Sequence, residues 1–308
     1  MDVVALAGGV GAARFLRGMV RVVDAAHLTV IANTGDDIEL HGLHVSPDLD
    51  TITYTLGGAV HPEQGWGRAD ETTVVATEMA SRYGEATWFT LGDRDLATHL
   101  VRTHALRRGD PLSEVTARIA AAWGIPFTLL PMTDDPVATR VTTEDGRDLH
   151  FQQWWVQEGA NPPVRSVRFE GAGSARPAPG VMDALLDADL VVLCPSNPVV
   201  SIGTILAVPG IRELLRRKAV VGISPIIDGR VVRGMADRLL PAEGVEVSCV
   251  GVASYYRDFL NAWVIDDSDA GHADDVRALG MKVAVTQTVM SDVDVAADLA
   301  KTTLSALE

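Results

Sequence analysis

The sequence predicts a doubly wound α/β fold, a mostly parallel sheet with helices on both faces, into which a mixed helical and antiparallel segment is inserted. Three observations predict it. Short apolar runs at Val3–Ala7, Leu28–Ala32, Asp189–Cys194 and Ala219–Ser224 have the continuous hydrophobicity of strands buried on both faces. The first ends in Gly8-Gly9-Val10-Gly11 and passes into a stretch where Phe15, Leu16, Met19, Val20 and Val23 recur at helical spacing. From about residue 57 to about residue 180 this alternation weakens, and then it returns. One domain over residues 1–308 is expected, with a core of about 1–56 and 181–308 around an insert of about 57–180.

Taken in order, the strand–glycine turn–helix at the N-terminus leads to a second strand, Leu28–Ala32, and the loop Asn33-Thr34-Gly35-Asp36-Asp37 at its carboxyl end. Ligands of open parallel sheets bind outside the carboxyl ends of strands, so both loops point toward one site. Val45 to Thr53 follows as a loop entered through Pro47, with Asp48 and Asp50 two residues apart beside hydroxyls. In the insert, the glycine- and proline-punctuated His61–Gly67 is a loop, Asp70 and Glu71 open a helix through Val74, Val75 and Met79, and Trp88–Leu91 is a short strand. Leu96 to Leu106 and Leu112 to Trp123 are helices, and Pro126–Pro131 is a strand. Val141–Thr143 and His150–Gln152 flank a hairpin turn, with linkers at Gly159–Pro163 and Gly171–Gly180. Later strands are expected at Val245–Val252, Trp263–Ile265 and Lys282–Val285, with helices at Tyr255–Leu260 and Asp294–Leu307.

Composition narrows the function. A chain of 308 residues with 47% hydrophobic residues buries a full core, which excludes disorder as its main state. A net charge of −15 argues against nucleic acid or an anionic membrane as partner, because both reward basic surfaces. An anionic ligand then has to be held by backbone amides, a metal and a few local arginines. Two cysteines, Cys194 and Cys249, make no disulfide framework and fit a reducing cytosol. No basic n-region precedes the first strand, and no apolar run reaches the ~18 residues of a membrane span, so a soluble cytoplasmic protein is expected.

Each motif has a plain reading beside its functional one. The Gly8-Gly9-Val10-Gly11 turn can present helix-start amides to a phosphate, or it can be a tight turn like any other. Arg14 stands where a dinucleotide fingerprint has its third glycine, and there is no Gly-Lys-Ser/Thr of the Walker type. Asp48 and Asp50 can cap a helix; as a pair they also suit a hard divalent cation or a hydroxyl nucleophile in need of a base. Arg94, in Gly92-Asp93-Arg94-Asp95, can neutralise phosphate, although the run also reads as a charged helix cap. Pro195-Ser196-Asn197-Pro198 is a turn that also offers a hydroxyl and an amide to a base or ribose. His99 and His104, five apart, do not form a metal pair, and Trp154 and Trp155 read as core or as a wall for a flat ring. The cysteines lie in apolar strands and are expected to be inert. No Gly-x-Ser-x-Gly elbow is present.

Taken together, the runs Leu6–Leu16, Pro47–Thr51, Leu91–His99, Leu130–Asp135, Pro195–Pro198 and Ser224–Ile227 resemble the CofD/FbiA family, the 2-phospho-L-lactate transferases of coenzyme F420 biosynthesis. They span nearly the whole chain in family order. The resemblance implies a Rossmann-like fold, a homodimer and a Mg²⁺-dependent transfer. The acceptor would be the deazaflavin Fo (7,8-didemethyl-8-hydroxy-5-deazariboflavin), and the donor a guanosine diphosphate linked to lactate or enolpyruvate. The terminal ribityl hydroxyl of Fo would attack the donor phosphorus and GMP would leave. On this resemblance Gly8, Gly9 and Gly11, with Asn33, Ser196 and Asn197, would hold the nucleotide. Asp48 and Asp50 would hold Mg²⁺ and Fo, one of them as general base, and Thr90 and Arg94 would lie near Fo. Two other classes compete: a non-catalytic nucleotide-sugar-binding regulator of the same fold, and a nicotinamide oxidoreductase argued from the glycine turn alone.

Overall fold

A computed structural model describes residues 1–308. The chain begins with β1 (Val3–Ala7), α1 (Gly9–Met19) and β2 (Leu28–Ala32), then a small hairpin of β3 (Ile38–Leu40) and β4 (Leu43–Val45). Four helices follow: α2 (Pro47–Leu56), α3 (Val74–Tyr83), α4 (Asp95–Arg107) and α5 (Leu112–Ala122). After β5 (Thr128–Pro131) comes an antiparallel trio, β6 (Ala138–Thr143), β7 (Asp148–His150) and β8 (Val164–Glu170). Next are α6 (Val181–Asp187), β9 (Leu190–Leu193), α7 (Thr204–Leu206), α8 (Ile211–Leu215), β10 (Val220–Ile223), the two-residue strands β11 (Ile226–Ile227) and β12 (Arg230–Val231), and α9 (Ala236–Leu239). The chain closes with α10 (Cys249–Tyr255), β13 (Ala262–Ile265), α11 (Ala273–Ala278), β14 (Lys282–Val285) and α12 (Val293–Ser305).

Seven strands form one parallel sheet in the order β14-β13-β10-β9-β1-β2-β5. Strand order reverses at β1: β2 and β5 extend to one side, and β9, β10, β13 and β14 to the other. A doubly wound sheet opens its ligand crevice at such a switch point, outside the carboxyl ends of the strands on either side. Here those ends are Gly8-Gly9 after β1 and Pro195-Ser196-Asn197 after β9. Within β1 the side chains alternate between two cores. Val4 and Leu6 join one core with Ile31, Val191, Leu193 and Trp263, and Val3, Ala5 and Ala7 join the other with Phe15, Leu16 and Leu299. Burying a side chain such as Phe15 or Leu16 stabilises the fold by about 1.5–3 kcal/mol each. On this second face α1 crosses α12 so closely that a Cβ on Gly18 would stand 2.2 Å from the Ala296 carbonyl carbon. Only glycine allows that approach.

The doubly wound sheet is as expected, and several local readings are corrected. Asp48 and Asp50 do not sit in a loop: α2 starts at Pro47, so both acids lie in its first turn, where proline at N1 and carboxylates near the helix N-terminus are both favourable. Trp88–Leu91 forms no strand; Trp88 and Phe89 pack instead beside Leu40, Val45 and Leu91. Val245–Val252 imitates a strand by alternating apolar and polar residues, but Ser248 accepts a hydrogen bond from Gly251 N–H (2.9 Å) and caps α10. Cys249, Val252 and Ala253 then share a buried face, and the chain beyond Tyr255 is a turn, not the expected helix. The strand β8 lies between the two expected linkers; its charged residues Arg165, Arg168 and Glu170 disguised it. The stretch of residues 57–180 also supplies β5, an edge strand of the main sheet. No helix is long and apolar enough to cross a membrane.

Candidate active site

A cleft opens at the switch point, and the glycine turn forms its floor. The glycines serve close packing. A Cβ on Gly8 would meet Ser201 Cβ at 2.6 Å and Asp48 Oδ2 at 2.7 Å, and one on Gly11 would meet the Pro195 carbonyl oxygen at 2.2 Å. Gly9 takes a left-handed φ of 71°. Two amides of the turn are already engaged: Gly8 N–H donates to Ser196 Oγ (3.1 Å) and Gly9 N–H to Asp48 Oδ1 (2.8 Å). The amides left for an anion at the start of α1 are those after Gly9, since the first residues of a helix have no intrahelical acceptor.

Asp48 is the hub of the cleft. It is buried, accepts from Gly9 on one oxygen, and accepts from Asn33 Nδ2 (2.9 Å) on the other. Asn33 Oδ1 in turn accepts from Gly35 N–H (2.9 Å), which fixes its amide. Burial pushes the Asp48 carboxyl up to about 6, against the opposing pull of the Asn33 and Gly9 hydrogen bonds. Asp36 also lines the cleft and is buried, and its Oδ1 has no hydrogen-bond partner. Burial first, and the charge of Asp48 second, raise its pKa well above the usual carboxylate range. Two buried carboxylates side by side, one of them raised by the charge of the other, are the residues here that call for a cation.

Asp50 enters different surroundings. Arg102 binds both of its oxygens, Nη1 to Oδ2 at 3.1 Å and Nη2 to Oδ1. His99 lies between acids, with Nδ1 3.7 Å from Asp50 Oδ2 and Nε2 3.1 Å from Asp95 Oδ2, and Tyr54 Oη donates to Asp95. Burial raises the Asp50 carboxyl, although Arg102 and His99 oppose the rise. Asp95 ends below its usual value: burial alone would raise it, but His99 and the Tyr54 hydroxyl outweigh that. Asp50, Asp95 and His99 offer atoms within 4.8 Å of one another, the spacing of a metal site, but the Arg102 guanidinium already supplies a positive charge to Asp50. None of these residues lines the cleft.

The remaining candidates divide between the cleft and its surroundings. Ser196 and Asn197 line it. Asn197 uses its oxygen to cap the π-helical turn Pro198–Gly203, accepting from Val199 N–H (2.9 Å) and Val200 N–H (3.2 Å), which leaves its NH₂ to face a ligand. Asn33 is wholly buried behind Asp48 and stays out of the lining. Thr90 and Arg94 lie on the exposed arm that carries α3 and do not line the cleft. Asp93 caps α3 rather than α4, accepting from Val74 and Val75 N–H (2.9 and 3.0 Å), while Glu71 accepts from Arg94 and Asp95 N–H at the start of α4. The tryptophans part company: Trp154 is core and donates to the Pro162 carbonyl (2.9 Å), whereas Trp155 lines the cleft with Phe151, ring centroids 5.4 Å apart. Both cysteine thiols are pushed up by burial, Cys249 to about 12, which agrees with inert residues. Sequence reasoning missed Asp36 and the Asp50–Arg102–His99–Asp95 cluster. Its signal was present in Asp95, His99 and Arg102, spaced four and three apart on one helix.

Comparison with known proteins fits this geometry. The family described as 2-phospho-L-lactate transferase CofD matches residues 3–305. A phosphoenolpyruvate transferase of Streptomyces griseus is 49% identical over 314 aligned positions, covering 100% of this chain and 99% of its own. A phosphoenolpyruvate transferase of Thermobifida fusca is 50% identical, covering 95% of this chain and 93% of its own. A crystal structure of a Bacillus halodurans protein of the UPF0052 family superposes with a TM-score of 0.64 at 15% identity, over 99% of this chain and 98% of that one, a likeness of fold alone. The non-catalytic regulator and the nicotinamide oxidoreductase are not favoured beside such relatives. The chain belongs to the CofD family of 2-phospho-L-lactate transferases, and it is a transferase of coenzyme F420 biosynthesis that moves a phospholactyl or phosphoenolpyruvyl group.

Proposed function

We propose that this enzyme takes the enolpyruvyl form of the donor, since the relatives at 43–50% identity are named phosphoenolpyruvate transferases. The acceptor is the terminal ribityl hydroxyl of Fo. Its oxygen attacks the phosphorus that bears the enolpyruvyl group, a new P–O bond forms, the P–O bond to the GMP phosphate breaks, and GMP leaves. The observation that carries the reading is Asp48. It is a buried carboxylate with a pKa of about 6, held by Gly9 and Asn33 in the same cleft as Ser196 and Asn197. A base with a pKa just below neutrality is mostly ionised at pH 7 and is suited to take the hydroxyl proton. The free helix-start amides after Gly9 receive phosphate charge, and Ser196 and the Asn197 NH₂ meet the nucleotide. Trp155, Phe151 and Trp66 offer a wall to a flat ring.

Mg²⁺ suits this cleft. Asp36 has a buried oxygen without a partner, opposite the acid that repels it, and carboxylates with phosphate oxygens are the donor set a hard cation takes. Asp36 would hold it through that oxygen together with the donor's phosphate oxygens, and it would neutralise charge on the diphosphate. Asp50, bound on both oxygens by Arg102, has a positioning role in this reading: it fixes the first turn of α2 and with it the direction of Asp48. Thr90 and Arg94 do not line the cleft and have no part in this reading. The homodimer belongs to the same reading and rests on the family resemblance, and a cytoplasmic location rests on the sequence features given above.

The test is the purified protein with Fo, Mg²⁺ and guanosine diphosphate-linked donors carrying enolpyruvate or lactate, the products being weighed by mass spectrometry. Dehydro-F420-0 from the enolpyruvyl donor is expected. A preference for the lactyl donor overturns the donor assignment, and no product from either donor overturns the reaction.

A further inference from the structure

Where two arginines converge in this protein, an aspartate lies between them. Arg140 and Arg168 share Asp148 (2.9 and 2.7 Å), Arg212 and Arg216 share Asp258 (2.6 and 2.9 Å), and Arg108 and Arg118 share Asp110 (2.8 and 3.3 Å). One convergence has no acid. Arg14, on α1 beyond the glycine turn, and Arg233, on the loop after β12, both line the cleft. They approach one point from different walls: a Cβ on Gly65 would stand 3.2 Å from Arg233 Nη1 and 3.5 Å from Arg14 Nη2. Neither side chain makes an ion pair, and neither donates a hydrogen bond to the protein. In a chain with 41 acidic and 26 basic residues, two adjacent guanidinium groups left without an acid stand out. The arrangement also opposes itself. Partial burial, then the charge of Arg14, holds the Arg233 pKa below the usual arginine value, although the Arg233 side chain as a whole stays exposed.

We propose that Arg14 and Arg233 form a clamp for the carboxylate of the donor's three-carbon acid, the ligand supplying the acid that the protein withholds. The guanidinium fork matches a carboxylate in bidentate fashion, as Arg212 does on the two oxygens of Asp258. The position is consistent with the chemistry. Arg14 lies one helical turn past the amides that receive the phosphates, so a carboxylate two bonds beyond the phosphoester oxygen falls within its reach. Gly65, with φ of 69°, closes the mouth at that point, 2.8 Å from Val10 Cγ1 if it carried a Cβ. A donor that lacks the carboxylate leaves both charges unanswered, so the clamp selects acidic three-carbon groups over neutral ones. This inference rests on the cleft binding the guanosine-linked donor as set out above.

The experiment uses the full chain with Mg²⁺ and compares wild type, R14Q, R233Q and R233K. The Michaelis constant for the enolpyruvyl donor is expected to rise about tenfold to a hundredfold in R14Q and R233Q, the size of a lost charge-assisted contact, with R233K between them and wild type. The inhibition constant of GDP, which has no carboxylate, is expected to stay within about twofold. A parallel rise for GDP overturns the carboxylate assignment in favour of the diphosphate, and no rise for the donor overturns the clamp. Calorimetric titration of phosphoenolpyruvate into wild type and R14Q/R233Q reads the same site without turnover: weaker binding to the double variant is expected, and equal binding overturns the clamp. Failure of wild type to turn over any donor falls on the reaction instead. Unchanged thermal melting confirms that the variants fold.

Discussion

Asp48 and Asp50 leave one helical turn two residues apart, and the two regions they enter treat a negative charge in opposite ways. Around Asp50 the region is closed and neutralised, with Arg102 on both oxygens and His99 between it and Asp95, which accepts from the Tyr54 hydroxyl. Around Asp48 the region is open to a ligand, and no cationic side chain touches the carboxylate: its partners are amide donors, and a second acid, Asp36, is raised by it. Burial alone does not separate them, since Asp48 is 6% and Asp50 5% exposed. What separates them is whether the protein itself supplies the counter-charge. The satisfied acid holds the structure, and the unsatisfied one is left to the reaction.

The largest effect should follow removal of the hub. Asp48→Ala is expected to lower kcat by about 10³-fold, within the range that a positioned base contributes, with the melting temperature unchanged or raised. Turnover close to wild type would end the assignment of Asp48 as base.

Next is the closed region. Arg102→Ala strands Asp50 as a buried, uncompensated charge and is expected to cost about 3–5 kcal/mol in denaturant unfolding. The double variant Asp50→Leu with Arg102→Met should recover most of that stability, because an apolar pair can replace a buried ion pair. A double variant that is well folded but inactive would give Asp50 a direct part in the chemistry.

The smallest effect concerns pH in the absence of metal. Asp36 and Asp48 have folded pKa values above the unfolded 3.8, so folding disfavours their charged forms. Stability is then full at or below pH 3.8 as far as these groups go and is lost as pH rises, for Asp48 until about pH 6. The share of Asp48 is at most about 3 kcal/mol, since each tenfold change in its ionisation equilibrium is worth about 1.4 kcal/mol. Asp36→Asn should flatten this loss and raise the metal-free melting temperature at pH 7.5, while abolishing the stabilisation by Mg²⁺ expected of wild type. A Mg²⁺-induced rise in melting temperature that survives in Asp36→Asn would remove that residue from the cation site.

Much of the frame was legible because the main strands are short but unbroken apolar runs, such as Val3–Ala7, that a position buried on both faces explains. The glycine turn and the Pro195–Pro198 turn were legible as loops at the carboxyl ends of strands. The failures have physical causes. Val245–Val252 carries a period of two that α10 overrides through the Ser248 cap, and β8 is an exposed strand whose charges hide its pairing with β6. Asp36 looked like one polar residue among several in a loop, and its distinction, a buried oxygen without a partner, arises only when Asp48 is brought beside it. Arg233 gave no signal at all, since its significance lies in what converges with it from Arg14, far away in sequence. The resemblance of the motifs to the transferase family pointed to the reaction but could not separate the jobs of two aspartates so near in the chain.

The bond from Gly8 N–H to Ser196 Oγ spans 188 residues and joins the two halves of the cleft floor. During synthesis the glycine turn therefore waits, incomplete, until β9 has been made and inserted beside β1. The helix α1 waits longer still for α12, the surface onto which Gly18 packs.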